Sequence, residues 1–214
     1  ATDSDLPAQT LAFSLVGAPS GASIDGTTGA FSWTPGEAQG PGTYPFVVRV
    51  TDGVTDTDAS ITLTVDEVNA LPILAGVPPT ASIPELAAYT FTATATDSDL
   101  PAQTLTFSLV GAPIGASIDG STGVFAWTPS ETQGPGSYPF AVRVSDGATD
   151  TDAAITLTVA EANAAPVLAG VPGTASIPEV TPYTFTATAT DGDLPAQTLT
   201  FSLVGAPSGA SIDG

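Results

Sequence analysis

The sequence predicts an all-β chain made of tandem seven-stranded Greek-key β-sandwiches. Three observations carry that reading: a 94-residue internal period, two-residue alternation of apolar and Thr/Ser positions, and turn-forming residues between the alternating runs. Asp3, Asp97 and Asp191 are equivalent positions. Laying residues 1–120 on 95–214 leaves 22 differences, many of them conservative exchanges such as Ser/Thr or Ala/Val. The period divides the chain into the later part of one repeat (1–69), one complete repeat (70–163) and the early part of the next (164–214). One period is a sufficient length for a small domain with its own core.

The complete repeat justifies the strand count in order. A short strand is expected at 73–77. Tyr89, Phe91, Ala93 and Ala95 then alternate with Thr90, Thr92, Thr94 and Thr96, which reads as one strand with a buried face. Leu105, Phe107 and Leu109 repeat the pattern, and short strands follow at 116–118 and 124–127. Tyr138, Phe140, Val142 and Val144 form the next strand, with Arg143 on its outer face. Ile155, Leu157 and Val159 form the last. Asp119-Gly-Ser-Thr-Gly123 and Asp146-Gly147 supply residues tolerant of tight turns, while Gly134-Pro135-Gly136 interrupts pairing in a longer loop. No run keeps a 3.6-residue apolar period long enough for a helix. Seven short alternating strands in one period indicate an antiparallel two-sheet sandwich. Its expected core is Tyr89, Phe91, Leu105, Phe107, Leu109, Phe140, Val142, Val144, Ile155 and Leu157, with Trp33 and Trp127 packed over the sandwich mouth.

Composition restricts function. Twenty-two carboxylates face only Arg49 and Arg143, with no Lys, His or Cys, for a net charge of −20. No cationic patch can form for nucleic acid or an anionic membrane surface. No apolar run approaches the roughly 20 residues needed to span a bilayer. Without His, Cys or Lys, the usual bases, nucleophiles and Schiff-base amines are missing. A two-carboxylate active site would need a unique cleft, whereas these carboxylates recur with the period.

The strings LTFSLVGAPIGASIDGSTGVFAWTP, SYPFAVRVSDG, ITLTV and NAAPVL resemble the bacterial immunoglobulin-like repeats related to the dystroglycan-type cadherin-like domain. The resemblance covers essentially the whole chain. It implies a Greek-key sandwich strung in tandem on secreted or surface-attached proteins, commonly adhesins. Pro84-Glu85 resembles the cadherin motif near the first strand, Asp97-Ser-Asp99 the motif after the second, and Asp146 the acid after the sixth. Asp66-Glu67-Val-Asn69 and Glu161-Ala-Asn163 resemble the cadherin linker. The linkers are shorter than the cadherin pattern, and its middle motif is reduced to Pro129-Ser-Glu131.

The residues also point to calcium on physical grounds. The loops bearing Asp97, Asp99 and Asp146 fall at the sandwich end that meets the preceding linker, with Asp66, Glu67 and Asn69. Asp191 and Asp193 repeat the arrangement beside Glu161 and Asn163. Carboxylates that converge without a basic partner repel one another, and a hard cation taking roughly six to eight oxygen ligands relieves this. The expected function is therefore a structural repeat of an extracellular, cell-surface stalk, adhesin or filament with calcium at its junctions. Its expected partners are neighbouring repeats or copies, head to tail. The alternative is a module that binds glycan or protein through the loops at one sandwich end.

Overall fold

The computed structural model describes residues 1–2 and 9–214, so Asp3 lies outside the described residues. The chain forms two compact units. The first comprises Ala1–Ile73, Thr96–Leu105 and Ser145–Thr151, and the second comprises Leu74–Ala95, Thr106–Val144 and Asp152–Gly214.

The first unit opens with β1 (Ala12–Val16), followed by a hairpin of β2 (Ser23–Ile24) and β3 (Phe31–Ser32). Asp25 shapes the hairpin turn, its Oδ1 accepting the N–H groups of Thr27 and Thr28 at 2.9 and 2.7 Å. A single 3-10 turn at Glu37–Gln39 leads into two long strands, β4 (Gly42–Thr51) and β5 (Asp56–Val65). β4 is antiparallel to both β1 and β5, with Phe13 opposite Val50 and Phe46 opposite Ile61.

The complete repeat runs on through β6 (Ile73–Ala75), β7 (Thr80–Pro84), β8 (Tyr89–Thr92) and β9 (Thr94–Thr96). β10 (Thr106–Val110), β11 (Ser117–Ile118) and β12 (Val124–Trp127) precede a second 3-10 turn at Glu131–Gln133. β13 (Gly136–Ser145) and β14 (Asp150–Ala160) complete it. One sheet has the order β10-β13-β14-β7 and the facing sheet the order β11-β12-β8. β15 (Val167–Ala169) and β16 (Thr188–Thr190) pair in the segment that follows.

Phe125 on β12 joins the two sheets. It is 0% exposed and stacks between Phe91 on β8, at 4.7 Å, and Phe140 on β13, at 5.5 Å. Phe107, Val142, Val144, Ile155, Leu157 and Val159 are buried around it, while Tyr89, Phe91, Leu105 and Leu109 are half-buried. Thr92 and Thr106 are exposed, so the expected strand register holds. Arg143 lies on the outer face and grips Asp152 across β13 and β14 through two hydrogen bonds of 2.7 and 2.9 Å. Arg49 does the same with Asp58. Exposed pairs of this kind add little stability.

Three features differ from the expected antiparallel sandwich. β7 was not expected, because its segment has one large apolar residue, Ile83, and ends on a proline. It pairs parallel to β14, with Val159 opposite Ile83, and this edge position tolerates the proline. The single strand expected over 89–96 is two strands that serve different partners: β8 pairs with β12, and β9 with β6. The break falls at buried Ala93, whose N–H donates to Gly123 O at 2.9 Å. Gly123 (φ +69°) allows that approach, since a Cβ there would strike the Ala93 carbonyl. The two 3-10 turns were not expected either, each being too short to show a period.

In residues 171–214 the counterparts of the β8 aromatics stay open. Tyr183, Phe185, Phe201, Leu203 and Ile212 line a groove of about 690 Å³. Tyr183 and Phe185 are 44% and 43% exposed, at positions equivalent to those that β12 covers in the complete repeat.

Replacing Phe125 by Ala should cost roughly 3–5 kcal/mol of stability. Phe31→Ala, at the equivalent position of the first unit, is expected to cost clearly less, because Phe31 is 37% exposed. Denaturant unfolding of the two variants measures the difference.

Candidate metal centre

The first linker is fixed by amide groups. Asn69 places its Nδ2 within 2.7 Å of Ala70 O, 2.9 Å of Asp146 Oδ2 and 3.1 Å of Thr149 Oγ1. Its Oδ1 accepts Gln103 Nε2–H at 2.8 Å. The Ala70 N–H donates to both oxygens of Asp99, each at 3.0 Å. The Asp99 N–H donates to Asp97 Oδ1 at 3.0 Å, which closes the Asp-Ser-Asp loop on itself. Asp146 Oδ1 accepts the Ala148 and Thr149 N–H groups, so the turn after β13 is built around this carboxylate. The Thr149 N–H, then the Asn69 amide, hold the Asp146 carboxyl well below the usual carboxylate range, against the opposing effect of burial.

Two acidic clusters meet at this linker. One oxygen each from Asp97, Asp99 and Asp146 lie within 4.8 Å of one another, and so do oxygens from Glu37, Glu67 and Asp99. The first cluster is largely saturated by the N–H donors already named. The second is not. Glu37 Oε1 accepts the Leu100 N–H at 2.9 Å, but Glu67 Oε1 is buried with no hydrogen-bond partner. Burial first, then the charges of Glu37 and Asp99, push the Glu67 carboxyl up. Asp97 Oδ2 is likewise buried without a partner. Asp66 is exposed and belongs to neither cluster.

The second linker repeats the pattern within the second unit. The Ala164 N–H donates to both Asp193 oxygens at 3.1 and 3.0 Å, and the Asp193 N–H donates to Asp191 Oδ1. Gln197 Nε2–H donates to Asn163 Oδ1 at 2.8 Å, and Glu131 Oε1 accepts the Leu194 N–H at 2.8 Å. Oxygens of Glu85, Glu131 and Glu161 lie within 4.8 Å of one another. Glu85 is 1% exposed. Its Oε1 accepts the Ala162 N–H at 3.1 Å, while its Oε2 and both Glu161 oxygens are buried without a partner. Burial, then Glu85, and behind it Glu131 and Asp193, raise the Glu161 carboxyl. Buried carboxylates so placed need a proton or a cation.

The structure thus brings Asn69, Asp97, Asp99 and Asp146 together, with Glu67 beside Asp99. Asp193 stands near Glu161, Asp191 is held by the Asp193 N–H, and Asn163 is exposed at the rim. Glu37, Glu85 and Glu131 were not in the sequence-derived ligand set, yet they supply half of the two glutamate clusters. Pro84-Glu85 and Pro129-Ser-Glu131 match cadherin motifs by resemblance without entering that ligand set, and Glu37 is signalled only by its equivalence to Glu131. Trp127 offers no stacking platform. It is buried edge-on against Tyr138 at 5.1 Å, with its indole N–H on Ile114 O. Trp33 makes the equivalent contacts with Tyr44 and Ser20.

Fold and site together define an immunoglobulin-like sandwich repeat with acidic junctions. The family model described as "Putative Ig domain" matches residues 1–66 and 71–160, and the chain belongs to that family. A search of the curated proteins returned no match. Among solved structures, the chain is similar to human protocadherin-24 EC1-2 at 14% identity and TM-score 0.45, covering 72% of this chain and 84% of that one. Chicken VE-cadherin EC1-2 is 16% identical with TM-score 0.36, covering 74% and 87%. An endo-fucoidan hydrolase of glycoside hydrolase family 107 is 21% identical with TM-score 0.33. The match covers 71% of this chain and spans about a quarter of the hydrolase (24%). Among the described residues, no helix is long and apolar enough to cross a membrane.

The opposite shifts give the ion-free protein a two-sided pH profile. Glu67 and Glu161 titrate higher folded than unfolded, so stability rises as pH falls from neutral through their raised values. Asp146 is depressed in the folded state, so its contribution is lost as pH falls further, below the ordinary Asp value of about 3.9. Melting in chelator should therefore peak on the mildly acidic side of neutrality. Glu67→Gln with Glu161→Gln should flatten the limb between that peak and neutral pH.

Proposed function

We propose that the chain is a load-bearing spacer of an extracellular, cell-surface stalk, adhesin or filament, with calcium stiffening the repeat junctions. The observation that carries this reading is the Glu85 carboxylate, nearly fully buried, with Oε2 unpartnered and one of its oxygens within 4.8 Å of oxygens of Glu131 and Glu161. A domain does not gain stability by drawing one buried and two half-buried carboxylates around one point unless something positive joins them. The donors are all hard oxygen ligands, and the chain has no His or Cys, which suits calcium rather than a softer metal. Glu85, Glu131 and Glu161 would hold one ion, and Glu37, Glu67 and Asp99 another. The ion supplies the positive charge that these sites lack. In this reading Asn69, Asp97 and Asp146, and likewise Asn163, Asp191 and Asp193, aim the linkers, while Asp66 stays in water.

The partners in this reading are neighbouring repeats, head to tail. The groove at Tyr183 and Phe185 matches strands equivalent to β12 and β13, from the same polypeptide or a second copy. Period-two aromatic faces of this kind are stable only when a facing sheet covers them.

Millimolar calcium should raise the melting temperature above that in chelator, by an amount that grows with the logarithm of ion concentration. It should also narrow the distribution of shapes seen by small-angle scattering. Glu131→Gln combined with Glu37→Gln should abolish both effects. Identical curves with and without calcium in the unmodified chain would remove the ion from the account.

A further inference from the structure

Gly134 is buried, and its backbone needs no glycine. Its φ of −106° and ψ of 149° are extended values that any residue preceding a proline adopts. What excludes a side chain is Glu85. A Cβ built on Gly134 would overlap Glu85 Oε2, come within 2.8 Å of Glu85 Cδ and lie 3.1 Å from Glu85 Cβ. The Glu85 backbone has little freedom to retreat. Its own N–H is held by Ala160 O at 2.9 Å, and the following N–H, of Leu86, by Pro129 O at 2.8 Å. The same glycine ends the 3-10 turn that carries Glu131, its N–H facing Glu131 O at 3.4 Å.

The first repeat supplies an internal comparison. Gly40 occupies the equivalent position with nearly the same backbone, φ −111° and ψ 151°. A Cβ there would meet Val65 Cγ1 at 3.4 Å, with Asp66 O and Glu67 Oε2 both at 3.5 Å, which are ordinary contacts. The position 94 residues before Glu85 lies outside this sequence, so Gly40 shows what the glycine contacts with no such carboxylate above it.

We propose that Gly134 is a positioning residue of the cation site, its missing side chain being the space in which the Glu85 carboxylate lies. The proposal rests on reading Glu85, Glu131 and Glu161 as a cation site. It says which backbone position makes that site possible: a methyl group at 134 turns the carboxylate away from its two partners, although Gly134 itself would touch no ion.

The test uses the full chain in a Glu67→Gln background, so that only the Glu85 cluster reports. Calcium binding is followed by titration calorimetry, and melting is followed in chelator. Gly134→Ala should weaken calcium binding at least about ten-fold, the usual scale for a residue that orients a ligand. Gly40→Ala should leave it unchanged. A double-mutant cycle in chelator should show Gly134→Ala destabilising the chain when Glu85 is present and much less so in Glu85→Ala, where the overlap is gone. Unchanged calcium affinity in Gly134→Ala would overturn the proposal. If the background chain binds no calcium, the cation reading fails by itself. The melting cycle then decides the positioning role: coupling between the two sites supports it, and simple additivity overturns it.

Discussion

Two backbone amides hold the design together: the Ala70 N–H on Asp99 and the Ala164 N–H on Asp193. Each lies just past a linker and is captured by an acid that the sequence places 29 residues further on. A chain with 22 carboxylates and two arginines cannot neutralise its acids with side chains, so it uses main-chain dipoles. The Asp-x-Asp loop, the turn after β13 and the linker amides all serve that purpose. Once the linker is caught, Glu67 and Glu161 are carried into contact with acids from other loops, and burial removes the water that would have screened them.

Most of the sandwich was legible because period-two patterning survives wherever one face is buried. Phe107, Val142, Val144, Ile155 and Leu157 all lie where alternation put them. β7 was illegible since an edge strand beside two prolines carries too few apolar residues to alternate. The β8–β9 break was illegible for a different reason. Thr-Ala-Thr-Ala-Thr reads the same whether the strand continues or changes sheets, and Gly123, which permits the change, is 30 residues away in sequence. At the junctions, aspartates in turns could be grouped from strand direction alone. Glu37 could not, and Glu85 and Glu131 were reached only through the resemblance of their motifs to those of cadherins. Their approach to the linker glutamates depends on a one-turn helix and on a cradle left by a missing Cβ.

Equivalent residues of the two repeats can be compared here with and without the strand that carries Phe91, whose counterpart 94 residues earlier lies outside this sequence. Phe31 and Phe125 are equivalent, yet one is 37% exposed and the other fully buried. Phe125 lies between aromatic neighbours from both sheets, whereas Phe31 stacks on Phe46 alone among the described residues, at 5.3 Å. Local geometry is nonetheless conserved to the hydrogen bond: the Trp33 and Trp127 indoles, the Tyr44 and Tyr138 hydroxyls and the two arginine clamps all recur. Local hydrogen bonding is thus set within a few dozen residues, and burial is set by what the facing sheet contributes.

The near-identity of the repeats has a kinetic consequence. β8 pairs with the Phe-Ala-Trp segment of β12, but the Phe-Ser-Trp segment at β3 presents almost the same surface. The loop closed by the native pairing is about half as long as the one closed by the alternative, a preference of only about 0.6 kcal/mol in closure entropy. During synthesis the β3 segment also emerges first. Discrimination between neighbours therefore falls to contacts that form late, which is the situation in which tandem domains exchange strands and become trapped. Dense negative charge keeps such intermediates apart in solution, so the same acids that strain the finished junction protect the chain on its way there.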